Sequence, residues 1–152
     1  MEQAILAGEC GCMYISPFIH ELKAVFDESY DDGGANLALC VDAQKYYKQF
    51  SYSTRVKAAA LMSVKEAKQL AGVAAMTIPP DLLRTLASTD ATKEDVDHLS
   101  LFTKEGYLKE GGLIRQTYMD DEAAYRHAFA KAYDGKGLRN TKEVGLLALR
   151  SI

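Results

Sequence analysis

Cysteine is scarce in this chain, and no stretch stays apolar for long. The three cysteines, an odd number, argue against a disulfide framework. Cys10-Gly11-Cys12 has the spacing of a metal half-site, but no second closely spaced Cys/His pair accompanies it. His20 and Cys40 are isolated, and His98 and His127 lie far along the chain. The thiols therefore read as structural, and no metal site is expected. No apolar run approaches the roughly 18 residues of a membrane span. Met1-Glu2-Gln3-Ala4 lacks the basic-then-apolar layout of a signal peptide, so a cytoplasmic location is expected. Basic clusters are missing too, and the net charge is −3, which counts against a nucleic-acid partner. There is no P-loop, no GxGxxG and no Ser-His-Asp order, so NTPase, dinucleotide-binding and serine-hydrolase readings have no support. Repeats and low-complexity tracts are absent as well.

What is there is a soluble globular composition, 48% apolar and 26% charged over 152 residues, enough for one domain with a real core. The most informative stretch is Met13-Tyr14-Ile15-Ser16-Pro17-Phe18, followed by Ile19-His20-Glu21. It reads as a buried strand over 12–16 running into a helix over 17–28, with Ser16 as its cap, Pro17 at its first position, and Ile19, Leu22 and Phe26 on one face. A strand end that opens into a helix is where α/β proteins place ligands.

Around it, a short helix is predicted over 2–10 and a polar loop over Asp27 to Gly34. A second helix over 42–50 starts at Asp42, and a second strand covers 54–61. Ser63-Val64-Lys65-Glu66 forms a capping box, opening a helix that stops at Gly72. A third strand over 74–78 leads into a helix that begins at Pro79-Pro80-Asp81 and runs to 87, and Thr92 to Asp95 caps a short turn. Residues 100–119, with Gly106, Gly111 and Gly112, look irregular; helices are predicted over 121–133, with an apolar stripe of Ala124, Phe129 and Tyr133, and over 141–150. Strand and helix alternate at the spacing of βαβ units, which means a parallel sheet with strands small and apolar throughout.

In order, these segments resemble the C-terminal half of transaldolase, a Schiff-base aldolase with a (β/α)8 barrel. The landmarks are Ile15-Ser16-Pro17-Phe18 at one strand end, Tyr46-Tyr47-Lys48 in the next helix, Leu70-Ala71-Gly72 closing another, and Thr77-Ile78-Pro79-Pro80-Asp81-Leu82-Leu83 at the last strand and helix; Leu99-Ser100 begins a family-like C-terminal segment. The resemblance implies an α/β fold, a half (β/α)8-barrel-like unit with about three parallel strands and their helices plus C-terminal helices. Residues 1–152 are expected to form one such domain, with 100–152 as an irregular and helical extension. A complete barrel has eight strands and about 250 residues. Two sheet edges would therefore be left unpaired, a liability that association through those edges would remove. A homo-oligomer is expected, a separate chain supplying the missing half-barrel is the alternative, and Met1 at the head predicts a self-standing product.

Three departures bear on function. The resemblance places the Schiff-base lysine on a strand before this chain begins. The family's phosphate-binding arginine, three residues after the proline-phenylalanine pair, is Glu21 here, which would repel a sugar phosphate. A second such arginine aligns with Met62, and the small polar residue near it with Ala60. Transfer of a dihydroxyacetone unit between sugar phosphates is therefore not expected.

Each remaining candidate has a plainer alternative. His20 and Glu21, placed in the first helical turn, suit a general acid or base, or simply a solvated helix start. Lys57, on the second strand, could form a replacement Schiff base. If Ala60 faces inward, however, Val56 and Ala58 do so too and Lys57 points the other way. Ser16 is a substrate contact or a cap; Tyr14 and Phe18 line an apolar pocket or pack in the core; Ala60 and Met62 complete the substrate-binding set. Tyr46-Tyr47 should be half core and half surface. The function expected is a diverged transaldolase-like enzyme acting on a non-phosphorylated carbonyl compound. Acid–base chemistry (aldol or retro-aldol, cyclisation or isomerisation) would serve specialised metabolism, with no cofactor. The alternative is a non-catalytic oligomeric scaffold or binding protein of the same ancestry.

Overall fold

The computed structural model describes residues 1–27, 29–34, 36–103 and 113–132. Chain order is α1 (Glu2–Glu9), β1 (Tyr14–Ile15), α2 (Leu22–Phe26), α3 (Leu37–Gln49), β2 (Arg55–Ala58), α4 (Val64–Gln69), β3 (Ala75–Met76), α5 (Pro80–Ala87), α6 (Lys93–Leu99) and α7 (Glu122–Lys131). The three strands form one parallel sheet in the order β1-β2-β3. Tyr14 pairs with Arg55 and Ile15 with Val56; Lys57 pairs with Ala75 and Ala58 with Met76. Consecutive parallel strands joined through helices make this an open α/β unit, as the strand-helix alternation predicts. No helix among the described residues is long and apolar enough to cross a membrane.

The core lies between the sheet and α3. Cys40, Val41, Ala43, Tyr46 and Tyr47 of α3 are buried with Val56 and Ala58 of β2, Ala67 of α4, Leu70, and Ile5 of α1. Tyr46 and Tyr47 are both 1% exposed, so the expectation that one faces solvent is corrected. Helix α3 is covered on two sides: the Tyr47 hydroxyl donates to the Ala4 carbonyl of α1 at 2.6 Å, and the Tyr46 hydroxyl donates to the Gln116 carbonyl at 3.0 Å. Cys40 sits in this core, where burial pushes its thiol up to about 12. Gln44 clips the sheet from α3, its side-chain oxygen accepting from the Val56 and Ala74 amides at 3.3 and 3.2 Å. From the C-terminal side, α7 packs on α1 through Ala124, Tyr125 and Ala128, with Phe129 stacked on Tyr125 at 6.0 Å.

Strand β2 alternates cleanly. Val56 and Ala58 are buried toward α3, while Arg55 and Lys57 project to the opposite, exposed face. Tyr14 shares that face with Lys57, whose ammonium lies 6.0 Å from the ring centroid. Parallel sheets are normally covered on both faces; among the described residues the helices cover one.

Several boundaries differ from the sequence expectations. The helix expected over 17–28 shrinks to Leu22–Phe26, because Pro17 to His20 continue along the sheet instead. Phe18 bridges to Ala59, and the Ile19 amide donates to the Ala59 carbonyl at 3.0 Å, burying Ile19 completely. Ser16 is thus no cap, and Pro17 no first helical residue. Helix α3 starts at Leu37 rather than Asp42, and the extra turn brings Cys40 and Val41 into the core. Strand β2 ends at Ala58 and the chain then turns at Ala60, which holds φ at +61°. The flanking strands are shorter than 12–16 and 74–78, at two residues each. The capping box at Ser63/Glu66 is present, but α4 stops at Gln69, before Gly72. Thr92 and Asp95 cap a full helix through a second such box. Residues 104–112, Tyr133 and the helix expected over 141–150 lie outside the described residues.

Candidate functional site

The C-terminal ends of β1 and β2 carry the residues singled out in the sequence. Beyond β1 the chain runs as Ser16, exposed, then Phe18, 47% exposed, then Ile19 and His20, both buried. His20 and Glu21 precede α2, with Glu21 at its N-cap position and its side chain making no capping bond, so their expected place in the first helical turn is corrected.

His20 is held on both sides. Its Nδ1 lies 2.7 Å from an Asp32 carboxylate oxygen. Its Nε2 stands 3.4 Å from Glu66 Oε1, near enough to pair electrostatically but misaligned for a hydrogen bond. Asp32 reaches it because the loop after α2 folds back: the other Asp32 oxygen accepts the Glu21 amide, and the first also accepts the Gly34 amide at 3.0 Å. Asn36 anchors the far end of that loop, its side-chain amide donating to the Phe18 carbonyl at 3.1 Å and its backbone amide to the Ile19 carbonyl at 3.1 Å. Glu66 reaches His20 from α4 while its second oxygen accepts the Met62 and Ser63 amides at 2.7 and 3.2 Å. The Glu21 carboxylate accepts the Tyr30 hydroxyl at 2.9 Å.

Charge follows from this arrangement. Burial alone would lower the His20 pKa, but the Asp32 hydrogen bond and the negative charges of Asp32 and Glu66 outweigh it, so the imidazolium is favoured. Burial would raise the Asp32 pKa, yet the Glu21 amide, the His20 ring and the Gly34 amide together hold it below the usual carboxylate range. His20 thus lies between the carboxylates of Asp32 and Glu66, which favour its protonated form.

The other candidates separate. Met62 is 54% exposed beside Glu66, and Ala60 occupies the turn before it. Tyr14, 39% exposed, and Lys57 pair on the bare sheet face. Lys57 points opposite to Val56 and Ala58, as the alternation predicts; what is corrected is the premise drawn from Ala60, because its positive φ breaks the strand periodicity, and Val56 and Ala58 face the helices while Lys57 faces away from them. In a barrel with helices outside, that face is the interior. Tyr14 and Phe18 are surface residues rather than core packing. Asp32, Tyr30, Asn36 and Glu66 were not singled out from the sequence as site residues. Glu66 carried a signal only as a cap, and Asp32 sits in a polar run whose composition gives no hint of its partner.

The family model for transaldolase/fructose-6-phosphate aldolase matches residues 1–134. The chain belongs to this family. Among transaldolases it is 34% identical to that of Schizosaccharomyces pombe over 136 residues, covering 84% of this chain and 39% of the relative. It is 31% identical to that of Kluyveromyces lactis over 129 residues, covering 82% and 37%. It is 34% identical to that of Gloeobacter violaceus over 98 residues, covering 60% and 25%. The chain therefore spans about two-fifths or less of the length of these transaldolases. Its three-stranded parallel sheet is a partial unit of the family's barrel, and its ancestry is that of an aldolase of carbohydrate metabolism.

Proposed function

We propose that this transaldolase-family chain acts on a carbonyl compound without a phosphate, by acid–base chemistry at the strand ends around Ser16, Phe18, Glu21 and Met62. The supporting observation is electrostatic. Where the family resemblance implies cations for phosphate, the strand ends hold the carboxylates of Glu21, Asp32 and Glu66 with His20 beside Asp32 and Glu66. A dianionic phosphate brought there meets the repulsion of these carboxylates. An uncharged ketone does not.

In this reading Glu21 is the base. It takes a proton from the carbon next to the substrate carbonyl, the C–H electron pair passes into an enolate, and Glu21 returns the proton to that carbon or to a cleaved or cyclised product. The Tyr30 hydroxyl orients the carboxylate. His20 is a positioning residue: buried, it ties the loop bearing Asp32 to α4 and sets the backbone at Glu21. Aldol, retro-aldol, cyclisation and isomerisation steps all pass through such an enolate, and a place in specialised metabolism fits a scaffold without phosphate clamps.

The test is deuterium exchange into dihydroxyacetone in D2O, followed by proton NMR, with fructose 6-phosphate as the comparison. Enzyme-dependent exchange that is lost in Glu21→Gln and is not enhanced by the phosphate supports the reading. No exchange, or turnover that requires the phosphorylated sugar, overturns it.

A second reading, assembly, is favoured by the bare sheet face. Tyr14, Arg55 and Lys57 project from a parallel sheet whose other face alone is covered by helices among the described residues. We assign this face and the β1 and β3 edges to a second copy of the chain. Light scattering should then give a dimer that Tyr14→Glu dissociates; a monomer at micromolar concentration sinks this reading.

A further inference from the structure

At the end of the sheet opposite His20, a cleft of about 420 Å3 opens between the end of α1, the turn before β2 and the segment leading into α7. Its volume falls within the roughly 300–1,000 Å3 of small-molecule sites. Arg115 forms one wall, its guanidinium 5.9 Å from the Phe50 ring centroid and 5.8 Å from that of Tyr52. The guanidinium lies within cation–π reach of both rings, and its planar fork of N–H donors can grip a carboxylate in two places. Among the described residues Arg115 makes no ion pair and Asp120 has neither a hydrogen bond nor an ion pair.

The neighbouring acids are fixed in place. Glu9 Oε2 accepts the Tyr118 and Met119 amides at 2.7 and 3.1 Å, and Asp121 caps α7 by accepting the Ala124 amide at 2.8 Å. The cleft thus sets the carboxylates of Glu9, Asp120 and Asp121 against the guanidinium of Arg115. A simple anion there meets excess negative charge. A simple amine leaves Arg115 without a partner. A ligand carrying both charges satisfies the two ends, and Tyr52 and Met119 offer an apolar wall for its body.

We propose that this cleft binds a small amino carboxylate with an apolar side chain, its carboxylate on Arg115 and its ammonium group at Asp120. The site is separate from the strand ends bearing Glu21, so it can fail or hold independently of the carbonyl chemistry.

Isothermal titration calorimetry on the full chain tests it with L-phenylalanine, 2-phenylethylamine and 3-phenylpropanoate. L-Phenylalanine should bind at least about tenfold more tightly than either single-charge analogue, a difference of about 1.4 kcal/mol. Arg115→Met and Asp120→Asn should each weaken it about tenfold or more with unchanged circular dichroism. The proposal is overturned if none of the three compounds binds, if an analogue binds as well as the amino acid, or if Arg115→Met binds as the parent does. The comparison of the three compounds on the unmodified chain decides the matter even if a variant fails to fold.

Discussion

The His20 imidazole donates from Nδ1 to Asp32 across 2.7 Å, joining residues twelve positions apart and closing the loop between α2 and α3. The clamp has a sign. The folded-state pKa of His20 is raised above 6.5, so its stabilisation is present below that pH and is lost as pH climbs through the folded value. That of Asp32 is lowered below 3.8, so its stabilisation is present above that pH and is lost as pH falls through the folded value. Thermal stability should therefore be greatest in the weakly acidic range, declining above neutral pH and again in strong acid. Asp32→Asn should lower stability by about 2 kcal/mol in that range and flatten the alkaline decline. A melting temperature of the parent that is flat across pH 5 to 8 would show that the pair contributes nothing.

Gly72 holds φ at +137°, and a Cβ built there would lie 2.5 Å from a Phe102 ring carbon. Gly72→Ala should cost on the order of 2 kcal/mol in urea unfolding, combining backbone strain with displacement of a packed ring. Gly11 also has a positive φ, +69°, but open space around it, so Gly11→Ala should cost less, about 1 kcal/mol. Equal losses at the two sites would mean that Phe102 simply moves aside.

The hydroxyl of Tyr47 is buried and donates to the Ala4 carbonyl, tying α3 to α1. Tyr47→Phe keeps the ring and removes the bond. A loss of about 1 kcal/mol is expected, read from the midpoint of chemical denaturation with an unchanged slope.

Lys57 lies exposed on the sheet face beside Tyr14, with no wall among the described residues to exclude water from an adduct. Borohydride trapping with dihydroxyacetone followed by peptide mass spectrometry should leave Lys57 unmodified. A reduced adduct at Lys57 would instead place Schiff-base chemistry on that face and displace Glu21 from the central role.

Much of the fold is legible in the chain itself. The capping box at Ser63/Glu66, the helix start at Pro79-Pro80-Asp81 and the early helix before β1 depend on residues within one turn of each other, and local chemistry decides them. The same holds for the alternation of Val56 and Ala58 with Arg55 and Lys57 within β2. Family membership is equally local in its marks: Ile15-Ser16-Pro17-Phe18 and Thr77-Ile78-Pro79-Pro80 survive as words, and the family match over residues 1–134 agrees with them.

What only the tertiary structure decided is pairing at a distance. Ser16-Pro17 has every local reason to start a helix, yet Ala59, more than forty residues later, offers Ile19 a sheet hydrogen bond and buries it. Asp32 looks like any residue of a polar loop until that loop folds back on His20, and Glu66 looks like a cap until its free oxygen faces the same ring. Which face of β2 lies inward could not be carried back from Ala60, because its positive φ stops the alternation there. Sequence spacing fixes which residues share an element, because backbone geometry is periodic within it. Which elements meet depends on burial and hydrogen-bond satisfaction across the whole chain, and no local pattern encodes that.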